Sequence, residues 1–448
     1  MAPSHNSPPA FEHARYHPFW WQAAPLLQPV PVDLHNQKDI DVVIVGGGFT
    51  GISAALTLAQ SGKKTLLLDQ GAIGFGASTR NGGQIGSGNQ KIPIGKLEAR
   101  FGAEKAKILL NEGVRMLTHL KQLIADKNID CDLQEVGRFR GAVRPEHYDA
   151  MAREMEALNK RAQVAFEMIP RSEQHREVNT DFYYGGYLLP GDGLVHPGKL
   201  HHGITMAAQS AGALLQANCC VRRIQRKNEG FELQTDAGSL FARNVILATN
   251  GYGGHTGQET EKRIVPVGSA IIATEEMPVE TVKSLIPNLR AYGNSARAFH
   301  YFRASPDGKR ILWGGRVGRW GDHVIQGEKQ QSWEAFQHLR NDMLRVFPEL
   351  QSTRIEFCWS GLIGYSFDDL PHLGVNEDGI HFACGYCGTG VTRSVYLGAK
   401  IAERVIDQQA GRTPFDETAL PSHPFQALAP KMVPVVERWY RLKDWAGL

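Results

Sequence analysis

One stretch near the start limits what this chain can fold into. Ile40-Asp41-Val42-Val43-Ile44-Val45 is a short, nearly continuous run of β-branched residues. That is the pattern of a strand buried on both faces of a parallel sheet. Gly46-Gly47-Gly48-Phe49-Thr50-Gly51 follows at once, with Gly46, Gly48 and Gly51 in Gly-x-Gly-x-x-Gly spacing. The first permits a tight turn, the second lets a pyrophosphate approach the backbone, and the third lets a helix pack on the strand. Ile52, Ala55, Leu56 and Ala59 then recur at helical spacing, and Gly62 marks a stop. A second strand, Thr65-Leu66-Leu67-Leu68, ends in Asp69-Gln70, and an acid there is where a ribose hydroxyl is bound. In this order, the elements predict a Rossmann-type α/β domain that holds a dinucleotide.

At 448 residues the chain has room for a second domain. Its 49 basic and 46 acidic side chains leave a formal net charge of only +3, which argues against nucleic acid or an anionic membrane as partner. No apolar run approaches the ~18 residues of a membrane span. Residues 1–10 lack the charged-then-apolar pattern of a signal peptide. Six cysteines in so long a chain do not make a disulfide framework, so a reducing cytoplasm is the expected compartment.

The first 38 residues read as an irregular lead-in whose Tyr16, Phe19, Trp20 and Trp21 are expected to pack on the body of the protein. Strands are predicted at 220–224, 231–235 and 245–248. Near the C-terminus, Gly388 and Gly390 precede an amphipathic run, 391–407, with Val395, Ala399, Ala402 and Ile406 on one face. The N–H groups opening such a helix, with its dipole, form an anion site; the alternative is a plain capped surface helix. Cys384 and Cys387 form a C-x-x-C, but no second such pair completes a zinc site. They read as buried apolar residues, as do Cys219 and Cys220. His196, His201 and His202 read as structural, and no metal is expected.

Gly74-Phe75-Gly76-Ala77-Ser78-Thr79-Arg80-Asn81-Gly82-Gly83-Gln84 resembles the segment after the second strand in D-amino-acid-oxidase-like FAD-dependent oxidoreductases, above all their γ-glutamylputrescine oxidase branch. Val195-His196-Pro197, the 245–252 segment, Tyr301-Phe302-Arg303 leading into Gly314-Gly315, Trp359-Ser360-Gly361 with Leu370-Pro371, and the 385–391 segment match as well. The resemblance spans roughly residues 39–409. It implies a glutathione-reductase-like FAD domain made of 39–95, 191–261 and 355–412. A discontinuous α+β substrate domain on an antiparallel sheet would be made of 96–190 and 262–354, with 413–448 as an extension. On this reading Ser78, Thr79 and Arg80 meet the pyrophosphate, and Gly82 and Gly83 leave space for a flat ring. Gln84 lies near the flavin edge or the substrate. Val221 contacts the adenine, and Thr249 and Gly251 line the nucleotide. Gly388, Thr389, Gly390 and Val391 open a helix toward the flavin N1, where the charge of the reduced ring resides. The bland reading of 82–88 is a flexible loop.

The activity so implied is oxidation of an amine C–N bond to an imine, then hydrolysis, with electrons passed to oxygen to give hydrogen peroxide. The substrate would be a primary or secondary amine such as a γ-glutamylated polyamine or an N-substituted amino acid. Gln84, Trp359 and Tyr365 are candidate catalytic residues. Trp313 and Trp320 are further candidate walls, and Arg303 or Arg316 could hold a carboxylate. Monomeric sarcosine oxidases of this family bind FAD through a cysteine near the position of Trp359. Here that position matches Gly361, with Cys358 close by, so non-covalent FAD is expected. Those relatives also use a lysine to activate oxygen, and Arg310-Ile311-Leu312-Trp313-Gly314 has none; Arg316 or Lys309 could supply the charge. A dehydrogenase with a quinone or protein acceptor, and a silent flavin-binding protein, therefore stay open. A reductase using a pyridine nucleotide would need a second glycine fingerprint, which the chain lacks.

Overall fold

In the computed structural model, which describes residues 9–87, 92–254, 256–316 and 333–446, Ile40–Val45 lies at the centre of a sheet. Across that sheet the order is His372–Val375, His381–Cys384, Gly238–Leu247, Ile40–Val45, Thr65–Leu68 and Leu214–Gln216. From His381–Cys384 onward every neighbour is parallel. Val221–Lys227 and Gly230–Thr235 add an antiparallel hairpin to the start of Gly238–Leu247. The alternation of side chains along the central strand explains its composition. Val42 and Ile44 face one core with helix Phe49–Gln60, whereas Val43 and Val45 face another with Phe231, Leu233 and Leu240 of the hairpin region. Helix Phe49–Gln60 ends where expected, with Gly62 at φ +78°. Helix Gly390–Ile406 buries Val395, Ala399 and Ala402, but Ile406 is 40% exposed, because the last turn runs past the core.

A second sheet runs Ile355–Tyr365, Val265–Thr274, Ile311–Arg316, His300–Ala304, Ala291–Asn294, Arg138–Gly141, Gly186–Leu189 and Glu167–Ile169. All its pairs are antiparallel except Ala291–Asn294 with Arg138–Gly141. Two parts of the chain sit differently from the boundaries expected of the sequence. Ile355–Tyr365, assigned above to the nucleotide domain, pairs along Val265–Thr274 in the second sheet. Its side chains alternate between Cys358 in one core and Phe357 and Trp359 in another, so it needs a sheet partner on its whole length. Conversely, helices Ala103–Asp126 and Pro145–Ala162 lie in a segment assigned to the substrate domain. They send Leu109, Leu110, Met116, Leu120 and Met155 into the same core as Val42 and Leu397.

The lead-in is held to the body, as its aromatic residues suggest. Trp20 is fully buried and donates to the Asn81 carbonyl (2.8 Å), and Trp21 donates to Thr79 Oγ1 (2.8 Å). At the other end, helix Ala429–Ala446 meets the second sheet through Glu437, paired with Arg316 at 3.1 Å. No helix among the described residues is long and apolar enough to cross a membrane.

Candidate functional site

A cavity of about 740 Å³ opens at the carboxyl ends of the central parallel strands, where Val45, Leu68 and Ala248 enter its wall. Ligands of open α/β sheets bind at this place. The glycine loop forms its floor. Gly46 has φ +108°, and a Cβ on it would come within 2.9 Å of the Ala248 carbonyl oxygen. A Cβ on Gly51 would sit 1.9 Å from the Gly46 oxygen, so helix and strand touch through bare backbone. The loop is pinned from both sides. Asp69 accepts from the Gly47 N–H (2.6 Å) and the Gly71 N–H (2.9 Å). Burial pushes its carboxyl pKa up, and those two N–H groups pull it back. From beneath, His201 Nε2–H donates to the Gly47 carbonyl at 2.8 Å. Burial lowers the His201 pKa to about 4, so the ring is neutral. Ser78 Oγ accepts from the Phe49 N–H (2.8 Å) at the start of the first helix.

From this floor the cavity extends two ways. One arm is walled by Gln70, Gly71, Cys219, Cys220 and Val221, with the Arg222–Asp236 ion pair at its mouth. The other arm runs under the second sheet, past Arg80, Gly82, Gln84 and Gly361, to Arg138, Phe299 and Tyr301. Arg80 donates to the carbonyls of Phe75 (2.7 Å) and Ser360 (3.0 Å), and its guanidinium lies over the rings of Phe75 and Trp21. Burial lowers its pKa. Gln84 donates to the carbonyls of Tyr292 and Phe302. Gly388, Thr389, Gly390 and Val391 enter the wall at the start of helix Gly390–Ile406. Thr389 turns its hydroxyl to the Tyr386 carbonyl (3.1 Å) rather than capping that helix, which leaves the opening N–H groups facing the cavity. Thr50 Oγ1 of the first helix and the hydroxyl of Tyr386, in the loop before the second, lie 2.6 Å apart.

The expected site residues divide on this geometry. Gly46, Gly48, Thr50, Asp69, Gln70, Ser78, Arg80, Gly82, Gln84, Val221, Thr249 and the 388–391 segment line the cavity. Others do not. Thr79 donates to the Gly74 carbonyl and accepts from Trp21, so its hydroxyl faces the lead-in. Gly83 (φ +66°) is needed for its approach to Val195, whose oxygen a Cβ would meet at 2.1 Å, and not for a ring. Gly251 packs on Gly364 in the same way. Trp359 is buried and donates to the Arg80 carbonyl (2.8 Å), so it holds that residue from behind. Tyr365 lies behind Gly388. Trp313 stacks on Phe302 at 4.5 Å inside the second core.

Arg303, buried with its pKa lowered to about 9, donates to the Val195 carbonyl beneath the 82–83 turn. Arg316 is engaged by Glu437, and Lys309 by Glu276. Trp320 and the end of the 82–88 loop lie outside the described residues. Cys358 points into the second core while Gly361, three residues on, lines the cavity. Cys384 and Cys387 are free and buried, and burial pushes both thiols up. Reading the sequence missed Arg138, Phe299, Tyr301 and Tyr386. Tyr301 and Tyr386 stood in quoted motifs, and only the pairing of distant strands brings the other two to the wall.

The residues present fit an extended dinucleotide. Backbone approach is enforced at Gly46, and a part-buried acid, Asp69, sits at the end of the second strand. Two helix starts face one cavity of about 740 Å³. A family model described as FAD dependent oxidoreductase (DAO) matches residues 41–404. The chain is 30% identical to the γ-glutamylputrescine oxidoreductase of Escherichia coli (strain K12), over 96% of this chain and 98% of that one. It is 24% identical to the glycine oxidase of Geobacillus kaustophilus, over 82% and 92% respectively. Among solved structures, glycine oxidase from Geobacillus kaustophilus superposes with a TM-score of 0.67 at 22% identity, over 86% of this chain and all of that one. L-proline dehydrogenase from P. horikoshii gives 0.69 at 18% identity, over 86% and 97%. The chain belongs to the DAO family of FAD-dependent oxidoreductases.

Proposed function

We propose that this oxidoreductase acts on the C–N bond of a small primary or secondary amine, with oxygen as electron acceptor and FAD held without a covalent bond. The observation that carries the reading is the wall of the arm under the second sheet: aromatic Phe299 and Tyr301, apolar Ile271, and, beyond Arg80, the cation Arg138 near its end. When bound, FAD supplies the hydride acceptor and passes the electrons on to oxygen, giving hydrogen peroxide. The substrate loses a hydride from carbon and a proton from nitrogen, and water hydrolyses the resulting imine to an aldehyde or keto product. An aromatic, desolvated wall favours the neutral amine, which needs no base to release its electrons. Among the described residues no lysine or histidine lines the cavity. Burial pushes the Tyr301 phenol up to about 12, so it stays protonated. Arg138, 3.3 Å from Asp192, is the group suited to a substrate carboxylate, in place of Arg303 and Arg316. The open N–H groups of helix Gly390–Ile406 would stabilise the negative charge that reduction brings.

A second reading has one observation in its favour. The absence of a lysine among the described lining residues removes the cation that promotes oxygen reduction, which suits a dehydrogenase with a quinone or protein acceptor. Both classes occur among the names of the similar proteins. Stopped flow separates them: reduce the flavin anaerobically with a panel of γ-glutamylated amines, polyamines and N-alkyl amino acids, then mix with air-saturated buffer. Reoxidation on the timescale of turnover is the expected result. Reoxidation far slower than turnover with an artificial acceptor establishes the dehydrogenase, and no reduction by any amine overturns the reading.

A further inference from the structure

Away from the cavity wall, three ligand-type side chains converge. Helix Trp333–Val346 presents His338 and Asp342 one turn apart on one face, and strand His300–Ala304 brings His300 to them. Nε2 of His300 and Nε2 of His338 each lie 2.9 Å from Oδ2 of Asp342. All three ligand atoms fall within 4.8 Å of one another. Asp342 is 6% exposed, and its Oδ2 has no hydrogen-bond partner of acceptable geometry despite two nitrogens at that distance. Two imidazole nitrogens thus converge beside one buried carboxylate oxygen.

We infer that His300, His338 and Asp342 form a site for a divalent metal ion of the zinc class, separate from the FAD cavity. Two imidazole nitrogens and one carboxylate oxygen suit Zn²⁺, Co²⁺ or Ni²⁺ rather than Ca²⁺ or Mg²⁺, which want more oxygens. Tetrahedral bonds of about 2.0–2.1 Å put ligand atoms about 3.3 Å apart, so the observed 2.9 Å needs a shift of a few tenths of an ångström. His338 is half-exposed, and that side leaves room for water as the fourth ligand. Among the described residues, the exposed Arg345 stands 3.8 Å from the other oxygen, Oδ1, and solvent screens it. Trp313 and Gly315 close the inner side. A metal here would tie the helix to the strand that carries Tyr301, so its occupancy bears on the far arm of the cavity.

The test uses tag-free holoprotein, stripped with EDTA, dialysed, and titrated with zinc chloride by equilibrium dialysis and metal analysis. Thermal melting is followed in parallel. One zinc per chain and a melting temperature that rises with zinc are expected. His338→Gln, on the exposed side, should keep its flavin spectrum and weaken zinc binding by about tenfold or more, since losing a ligand costs at least what losing its outer partner does. Asp342→Asn should do the same, and Cys384→Ser should bind as the parent does. Absence of zinc from the parent protein, or equal binding by parent and His338→Gln, overturns the site. Should Asp342→Asn fail to fold, the parent and His338→Gln decide the matter alone.

Discussion

At the floor of the cavity the wall is backbone; in the arm under the second sheet it is side chains. Gly46, Gly48 and Gly51 are close neighbours in sequence, and what they contribute is absence: two carbonyl contacts that no Cβ would allow. Arg138, Gln84, the Phe299–Tyr301 segment and Gly361 come from four separate parts of the chain, and they meet at the cavity because their strands pair with particular neighbours. The floor is set by local geometry and tolerates almost no change. The arm is set by long-range packing, and its chemistry can vary while the fold stays the same. This is how one scaffold serves relatives whose names include a glycine oxidase and an L-proline dehydrogenase.

The sharpest way to break that contrast is at the floor. Gly48→Val should give folded apoprotein with no absorbance of bound flavin, because a Cβ there meets only Ser78 Oγ (2.9 Å) while the side chain fills the approach to the backbone. Gly51→Ala should instead fail at the level of folding, since its Cβ collides with a backbone oxygen. Full FAD occupancy in both variants would mean the floor is misidentified.

In the arm, Arg138→Ala should keep FAD and lose about a hundredfold in kcat/KM, or ~2.7 kcal/mol, for amines bearing a carboxylate. Amines without one should hardly notice. Equal losses for both classes would assign Arg138 to holding Asp192 rather than substrate.

A smaller effect concerns pH. His201 and His196, both buried neutral, have folded pKa values lowered to about 4 from an unfolded value of about 6.5. Between those limits the unfolded chain binds more protons, so stability rises with pH across the window and is flat above it. The melting temperature should therefore fall by several degrees, roughly, as pH is lowered from about 6.5 to about 4. His201→Gln should shrink that slope. An unchanged slope would remove His201 from the acid response. The smallest expected effect is at the C-x-x-C: Cys384→Ser and Cys387→Ser should each change flavin reduction by substrate less than about twofold. A tenfold loss with FAD bound would put a dithiol in the reaction.

How much could be seen beforehand follows from the same contrast. The strand, glycine loop, helix, second strand and Asp69 were legible because each depends on neighbours a few residues away: φ at Gly46, alternation along Ile40–Val45, helical spacing after Gly51. The motif at 74–84 pointed to the right loop but not to which side chains face inward. Thr79 and Gly83 turn away because Trp21 and Val195 approach from elsewhere in the chain. Trp313, Trp359, Arg303 and Arg316 were attractive by residue type, yet each is spent on packing or on a carbonyl or carboxylate that only the fold supplies.

By itself, then, the sequence determined the nucleotide half of the site, since a backbone conformation imposed by glycines needs no distant partner. The tertiary structure alone decided the other half: that Ile355–Tyr365 joins the second sheet, that Cys358 faces a core while Gly361 faces the cavity, and that Arg138, Phe299 and Tyr301 meet. Those outcomes depend on strand register, where a one-residue shift exchanges the two faces, and register is fixed by packing between segments far apart in the chain.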